Sequence, residues 1–235
     1  GERFDAHDFL SQAAESGAAA LMVSRRMEYP EGVAVIRVDD TLEGLQRLAR
    51  NSRRDWGGRV VGLTGSNGKT STKDLTMAVL SRRWRVNATK GNLNNHVGLP
   101  LTVLATAATD DIAVCEMGMN HPGEIAPLAA IAAPDVAIIT NIGTAHIEYM
   151  GTREAIAAEK SALATALPKG GYCVMPVTDE FYDSVKEQVS GEMIPVGIGQ
   201  GEVRAESLTA DSDGRMRFSL CSAYGATVSV ALPVR

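Results

Sequence analysis

Apolar positions change their rhythm twice along the chain. Residues 6–16 and 41–53 show helical periodicity, the second opened by an Asp-Thr cap, while AAALMVS (18–24) and VAVIRV (33–38) read as short strands. Asp55, Gly57 and Gly58 then punctuate the chain and mark a domain boundary. From residue 59 strands and helices alternate. RVVGLT (59–64), DIAVCEM (111–117), DVAIIT (135–140) and GYCVMPV (171–177) are continuous apolar runs of strand length. Helices are predicted over 72–83, with Leu75, Ala78 and Val79 inward, over 122–133, with Pro122 in the first turn, and over 152–167. Such alternation predicts an α/β fold with a mostly parallel sheet and flanking helices. After Met193 the periodicity becomes short and alternating (193–198, 203–209, 215–220, 226–232), which predicts an antiparallel ribbon at the sheet edge.

Composition narrows the class. At 235 residues, 45% hydrophobic and 22% charged, the chain can bury a sizeable core and is neither disordered nor membrane-like. Its longest apolar runs fall well short of the roughly 20 residues that span a bilayer, and its polar N-terminus does not read as a secretory signal. Cys115, Cys173 and Cys221 are dispersed and odd in number, which disfavours a disulfide framework or zinc site and fits a reducing cytoplasm. A formal net charge of -5 argues against a nucleic-acid surface.

The most informative segment is Gly65-Ser66-Asn67-Gly68-Lys69-Thr70-Ser71, between a predicted strand and a predicted helix. Glycines let backbone amides close around phosphate oxygens, and the following helix adds positive potential at its N-terminus. Lys69 can reach the β- and γ-phosphates and the Thr70 hydroxyl can meet Mg²⁺. Leu63 stands where the usual motif has its first glycine, so this is a shortened variant with glycines at 62, 65 and 68. Binding of ATP or GTP follows from it; the use made of the phosphate does not.

Ligands of open parallel sheets sit beyond the carboxyl ends of the strands. Glu116 ends one predicted strand and could hold Mg²⁺ opposite the loop, or stand as a solvated acid. His146, in the loop after another strand, reads by itself as structural or exposed. Lys160 shares a helical stripe with Ile156, Leu163 and Leu167, which puts a lysine on an apolar face. Either its ammonium snorkels to water, or burial lowers its pKa and leaves an amine able to take up CO₂ as a carbamate. The residues alone leave both open.

Together, GERFDAHDF (1–9), TGSNGKTS (64–71), GNLNNHVGLP (91–100), EMGMNHPGEI (116–125) and NIGTAHIEYMG (141–151) resemble the Mur ligases, which build the peptide stem of bacterial cell-wall precursors. The doubled asparagine and the EMG-x-N-H-x-G-E-I run point to the branch that adds D-alanyl-D-alanine to UDP-N-acetylmuramoyl-tripeptide. The resemblance implies an ATP-dependent, cytoplasmic, monomeric ligase working through an acyl phosphate with two Mg²⁺ ions. It implies Thr70 and Glu116 as ligands of one ion, and His146 with a carbamylated Lys160 as ligands of the other. Lys69 would act on the phosphate, and Asn92, Asn94, Asn95 and His96 would lie near the γ-phosphate and the substrate carboxylate. Residues 1–57 would be part of the N-terminal UDP-substrate-binding domain and 58–235 the central ATP-binding domain, with no counterpart of the C-terminal ligase domain after Arg235. Folylpolyglutamate and cyanophycin-type ligases share the loop and the His…Lys pair, and a nucleotide-binding fragment without turnover is the other alternative.

Overall fold

The computed structural model describes residues 5–232, so Gly1 to Phe4 of the GERFDAHDF segment lie outside the described residues. A 3-10 turn (Ala6–Phe9) leads into α1 (Leu10–Glu15), and β1 (Ala20–Val23) pairs in parallel with β2 (Ala34–Arg37) as a small separate sheet. Helix α2 (Thr41–Trp56) begins where Asp40 accepts from the amides of Leu42 and Glu43, and it stops at Gly57, whose φ of 68° is the left-handed cap that glycine takes without strain.

The main sheet follows. Its strands are β3 (Arg59–Thr64), β4 (Val86–Ala88), β5 (Ile112–Glu116), β6 (Val136–Ile139), β7 (Tyr172–Pro176), β8 (Glu192–Ile198), β9 (Val203–Ala210), β10 (Met216–Ser222) and β11 (Thr227–Ala231). Their spatial order is β11-β10-β9-β8-β7-β6-β3-β5-β4. Every pairing from β4 to β9 is parallel, and β9, β10 and β11 are antiparallel neighbours. The connecting helices are α3 (Lys69–Leu80), α4 (Gly98–Leu104), α5 (Ile125–Ala132), α6 (Ile147–Met150), α7 (Arg153–Thr165) and α8 (Tyr182–Lys186). From β3 the chain crosses to the β4 edge and returns through β5, then passes to β6 on the other side of β3. The carboxyl ends of β3, β5 and β6 therefore meet at the point where the winding reverses, the crevice that ligands use in such sheets.

One sheet face packs against α2, α4, α5 and α7 through Val60, Cys115, Met117, Ile139, Ile156 and Leu163, all buried. The other face, Val61, Leu63, Ile112 and Val114, packs against Leu80 at the end of α3. Ala49 and Trp56 of α2 join the first core, and Arg53 donates to the Ala132 carbonyl at 2.7 Å, so α2 is anchored on the large sheet's layer.

Several expectations are corrected. Helix α3 starts at Lys69, directly off the phosphate loop, and its phase turns Leu75 (51% exposed) and Val79 (70%) to solvent with Ala78. Lys73 is its buried residue, with Nζ donating to the Thr89 carbonyl. Helix α5 starts at Ile125 rather than at Pro122, because Gly123 takes a φ of 87° and breaks the helical path. Strand β8, expected in an antiparallel ribbon, is parallel to β7 and reached through α8. β9 then adds in parallel to the end of β8, through a short return that uses Gly199 and Gly201 at positive φ. Only β9 to β11 form the expected ribbon at the sheet edge.

Leu163→Ala should lower stability by about 2–5 kcal/mol, because it empties a fully buried position. Val79→Ser should change it by less than about 0.5 kcal/mol. Urea unfolding of the two variants checks the helix phases directly.

Candidate nucleotide and metal site

The phosphate loop is fixed by close packing. A Cβ at Gly65 would sit 1.8 Å from Thr140 Oγ1, so only glycine allows β3 to turn beside the end of β6. The Ser66 amide donates to the Asn141 carbonyl, the Asn67 amide to Asn141 Oδ1, and the Gly143 amide to Ser66 Oγ at 2.8 Å. Gly68, at φ 77°, is the residue from which α3 departs. The first intrahelical amide bond is Thr72 to Gly68, which leaves the amides of Lys69, Thr70 and Ser71 in the first turn, where no helix carbonyl can serve them. Those donors and the helix dipole favour an anion at this spot. Lys69 Nζ donates to the Gly65 carbonyl at 2.7 Å, and burial lowers its pKa against the opposing charge of Glu116.

Glu116, at the end of β5, is 2% exposed. Its Oε2 accepts from Thr70 Oγ1 at 3.1 Å and its Oε1 from Asn94 Nδ2 at 2.9 Å, while its amide donates to Thr89 Oγ1. A buried carboxylate facing a hydroxyl is the hard-oxygen donor set that Mg²⁺ prefers. Among the described residues no group of three or more His, Cys, Asp or Glu side chains could hold a metal ion alone. An ion at Thr70 and Glu116 would complete its shell with phosphate oxygens and water.

A cavity of about 440 Å³ opens beside the loop, lined by Lys69, Asn94, Asn95, His96, Glu124 and His146 among others. His146 holds a φ of 62°, uncommon for a side-chain-bearing residue. Its loop is pinned by Asp179, which accepts from the Ile142 amide, and by Arg153, which donates to the Ile142 carbonyl and pairs with Glu180. Lys160, on α7, is 1% exposed, and its pKa falls to about 8, first through burial and then through the nearby Lys69 cation, with Glu159 opposing. The Glu159 carboxylate also accepts from the amides of Gly123 and Ile125.

Lys69 and His146 thus line one cleft, the Thr70–Glu116 pair joins its wall through Asn94, and Lys160 lies within electrostatic reach of Lys69. Asn95 lines the cavity, but its Oδ1 accepts from the amides of Val97 and Gly98 at the start of α4. Asn92 is exposed and is not part of the cavity wall. Residue patterns alone missed Thr89, Asn141, Arg153, Glu159 and Asp179, whose hydrogen bonds across the fold hold Glu116 and the loops around it.

Fold and site together define a phosphate-loop α/β domain with an acidic strand end facing the loop. The chain belongs to the Mur ligase family, whose middle domain matches residues 63–235. It is 51% identical over 175 residues to the UDP-N-acetylmuramoyl-tripeptide–D-alanyl-D-alanine ligase of Bacillus subtilis, which covers 74% of this chain and 38% of that protein. Among solved structures it is similar to MurF from Acinetobacter baumannii (TM-score 0.90, 35% identity, 99% of this chain and 51% of that one). It is also similar to the MurF ligase of Thermotoga maritima in complex with ADP (TM-score 0.86, 31% identity, 98% of this chain and 53% of that one). The chain therefore spans between about two fifths and a half of these relatives' length.

The Lys160 pKa makes a signed prediction. Its folded value of about 8 lies below the 10.5 of a free lysine, so between those two pH values the unfolded chain binds more protons. Stability should rise with pH across that window, and the cost of the buried cation is fully present below it. Lys160→Met should stabilise the chain at pH 7 by on the order of 3 kcal/mol and flatten that rise. Denaturant unfolding at stepped pH, in metal-free buffer depleted of CO₂, reads both.

Proposed function

We propose that the protein to which this chain belongs is an ATP-dependent ligase that joins D-alanyl-D-alanine to the terminal carboxylate of UDP-N-acetylmuramoyl-tripeptide, in peptidoglycan precursor synthesis. The supporting observation is the convergence of the loop amides, Lys69 and the Glu116–Thr70 pair on one point at the carboxyl ends of β3 and β5. The curated relative's name supplies the substrates, and the ADP complex of the Thermotoga ligase supports ATP as the nucleotide. In this reading the tripeptide carboxylate attacks the γ-phosphorus, the bond to ADP breaks, and an acyl phosphate forms. The amine of D-Ala-D-Ala then adds to the acyl carbon, and phosphate leaves as the amide is made.

The chain's own groups serve that sequence by position and charge. The amides of Lys69 to Ser71 would bind the phosphates, and the Lys69 ammonium would leave the Gly65 carbonyl for the β- and γ-oxygens. Thr70 and Glu116 would hold Mg²⁺, which when bound neutralises charge on the phosphates. Lys160 loses its proton more readily than an ordinary lysine, and its free amine can add to CO₂, releasing one proton and leaving an anionic carbamate. We propose that this carbamate and His146 hold a second Mg²⁺. The wall formed by Asn95, His96 and Glu124 would receive the muramoyl-peptide. Residues 1–57, with a separate sheet, are proposed as part of the UDP-substrate domain and 58–235 as the central ATP-binding domain. We place the enzyme in the cytoplasm as a monomer; among the described residues no helix is long and apolar enough to cross a membrane.

In the intact protein, ADP release should require both UDP-muramoyl-tripeptide and D-Ala-D-Ala, and Lys69→Ala should reduce it by at least about a thousandfold while far-ultraviolet circular dichroism stays unchanged. ADP release with glutamate-extended substrates instead would move the assignment to another branch. Tight ADP binding without any amide product would favour a nucleotide-binding module. With ¹³C-labelled bicarbonate, a carbamate carbon resonance should appear and be lost in Lys160→Met.

A further inference from the structure

Asn94 lies in the loop between β4 and α4, half-buried, on the wall of the cleft. Its Nδ2 donates to Glu116 Oε1 at 2.9 Å, while the other carboxylate oxygen accepts from Thr70 Oγ1. Its backbone is fixed independently of its side chain: the Gly118 amide donates to the Asn94 carbonyl at 2.8 Å, and the Asn94 amide donates to the Asn92 carbonyl. Two glycines make the approach possible. A Cβ at Gly118 would stand 3.1 Å from Cγ, Nδ2 and Oδ1 of Asn94 at once. A Cβ at Gly98 would stand 2.4 Å from the backbone of Leu93. Of the three asparagines in GNLNNHVGLP, Asn95 serves the start of α4 and Asn92 is exposed, so Asn94 is the one that reaches the carboxylate.

A glutamate side chain turns readily about its last torsion, which is broad rather than confined to sharp rotamers. Lys69, whose ammonium is stabilised by the Glu116 charge, offers a competing partner. An amide donor on Oε1 fixes the plane of the carboxylate and leaves Oε2 facing Thr70. It does so without a second negative charge, which an aspartate at this position would bring. We propose that Asn94 is a positioning residue that orients Glu116 toward Thr70 and so sets the affinity of the cleft for the divalent cation that accompanies the nucleotide. The inference rests on the reading of Thr70 and Glu116 as cation ligands.

The test is Mn²⁺ binding to the ADP-loaded intact protein, followed by electron paramagnetic resonance, in wild type, Glu116→Ala, Asn94→Ala and Asn94→Leu. Leucine keeps the approximate shape of asparagine and removes the donor, and both Asn94 variants keep the backbone bond to Gly118. The expected result is a Mn²⁺ dissociation constant raised about 10–100-fold in both Asn94 variants. Calorimetric ADP binding without divalent cation should shift less than twofold, a split that a general loosening of the loop would not give. Equal Mn²⁺ binding in wild type and Glu116→Ala would overturn the cation-ligand reading, and this proposal with it. If those two differ while both Asn94 variants match wild type, the reading stands and the role of Asn94 falls. Loss of a cooperative unfolding transition in both Asn94 variants would assign the residue to loop folding and overturn the proposal as well.

Discussion

Thr70 leaves the phosphate loop as the second residue of α3, and its hydroxyl meets the carboxylate that ends β5. That one contact ties together two neighbouring strands at the winding reversal, and much of the surrounding geometry follows from it. For Thr70 to face Glu116, α3 must start without slack from Gly68, and its rotation is then fixed. The same rotation puts Lys69 on the cleft wall, buries Lys73 against the Thr89 carbonyl, and sends Leu75 and Val79 outward. Helical periodicity is here subordinate to the loop. A helix free to choose its phase would bury the two apolar residues instead.

The site concentrates features that cost stability. Glu116 and Lys160 are among the largest fully buried side chains, where apolar residues would pack at no desolvation cost. Burial lowers the Lys160 pKa, and the Lys69 cation lowers it further. His146 holds a left-handed backbone, and Gly65 stands where no side chain fits. Strain and buried charge of this kind cluster where structure serves chemistry rather than stability. They persist because rigid neighbours impose them: Asp179 and Arg153 on the histidine loop, Asn141 on the phosphate loop, Glu159 on the turn before α5.

The long elements were legible because each carries its signal in contiguous residues. β3, β5, β6 and β7 are unbroken apolar runs, α7 has a stripe, and α2 has both an Asp cap and a terminal glycine. β4, α4 and α8 escaped notice, since three, seven and five residues are too few to establish a period. β8 was misassigned in pairing for a different reason. The strand is real, but its burial does not alternate, and its parallel partner is reached through α8, a helix too short to read in advance. The loop signature and Glu116 were legible because backbone chemistry demands particular residues there. Lys160 was legible only as an anomaly, a charge in an apolar stripe, and spacing could not distinguish snorkelling from burial. Its 1% exposure does so. The supporting residues stayed hidden because their contacts span from 11 to 74 positions along the chain.

The place of α2 bears on how the two parts of the chain work together. Its sequence position groups it with the small β1–β2 sheet, and Gly44 lets Met22 and Val38 lie against it. Its other face packs on the large sheet's layer: Ala49 is fully buried in the main core, Arg53 donates to the carbonyls ending α5, and Trp56 donates to the Asp110 carbonyl. Gln46, on the same helix, donates to the His96 carbonyl and lines the cleft. A helix that carries the small sheet on one side and forms cleft wall on the other couples the two mechanically. Any rearrangement of the β1–β2 unit that moved α2 would therefore also move Gln46 and the cleft wall beside Asn95 and His96.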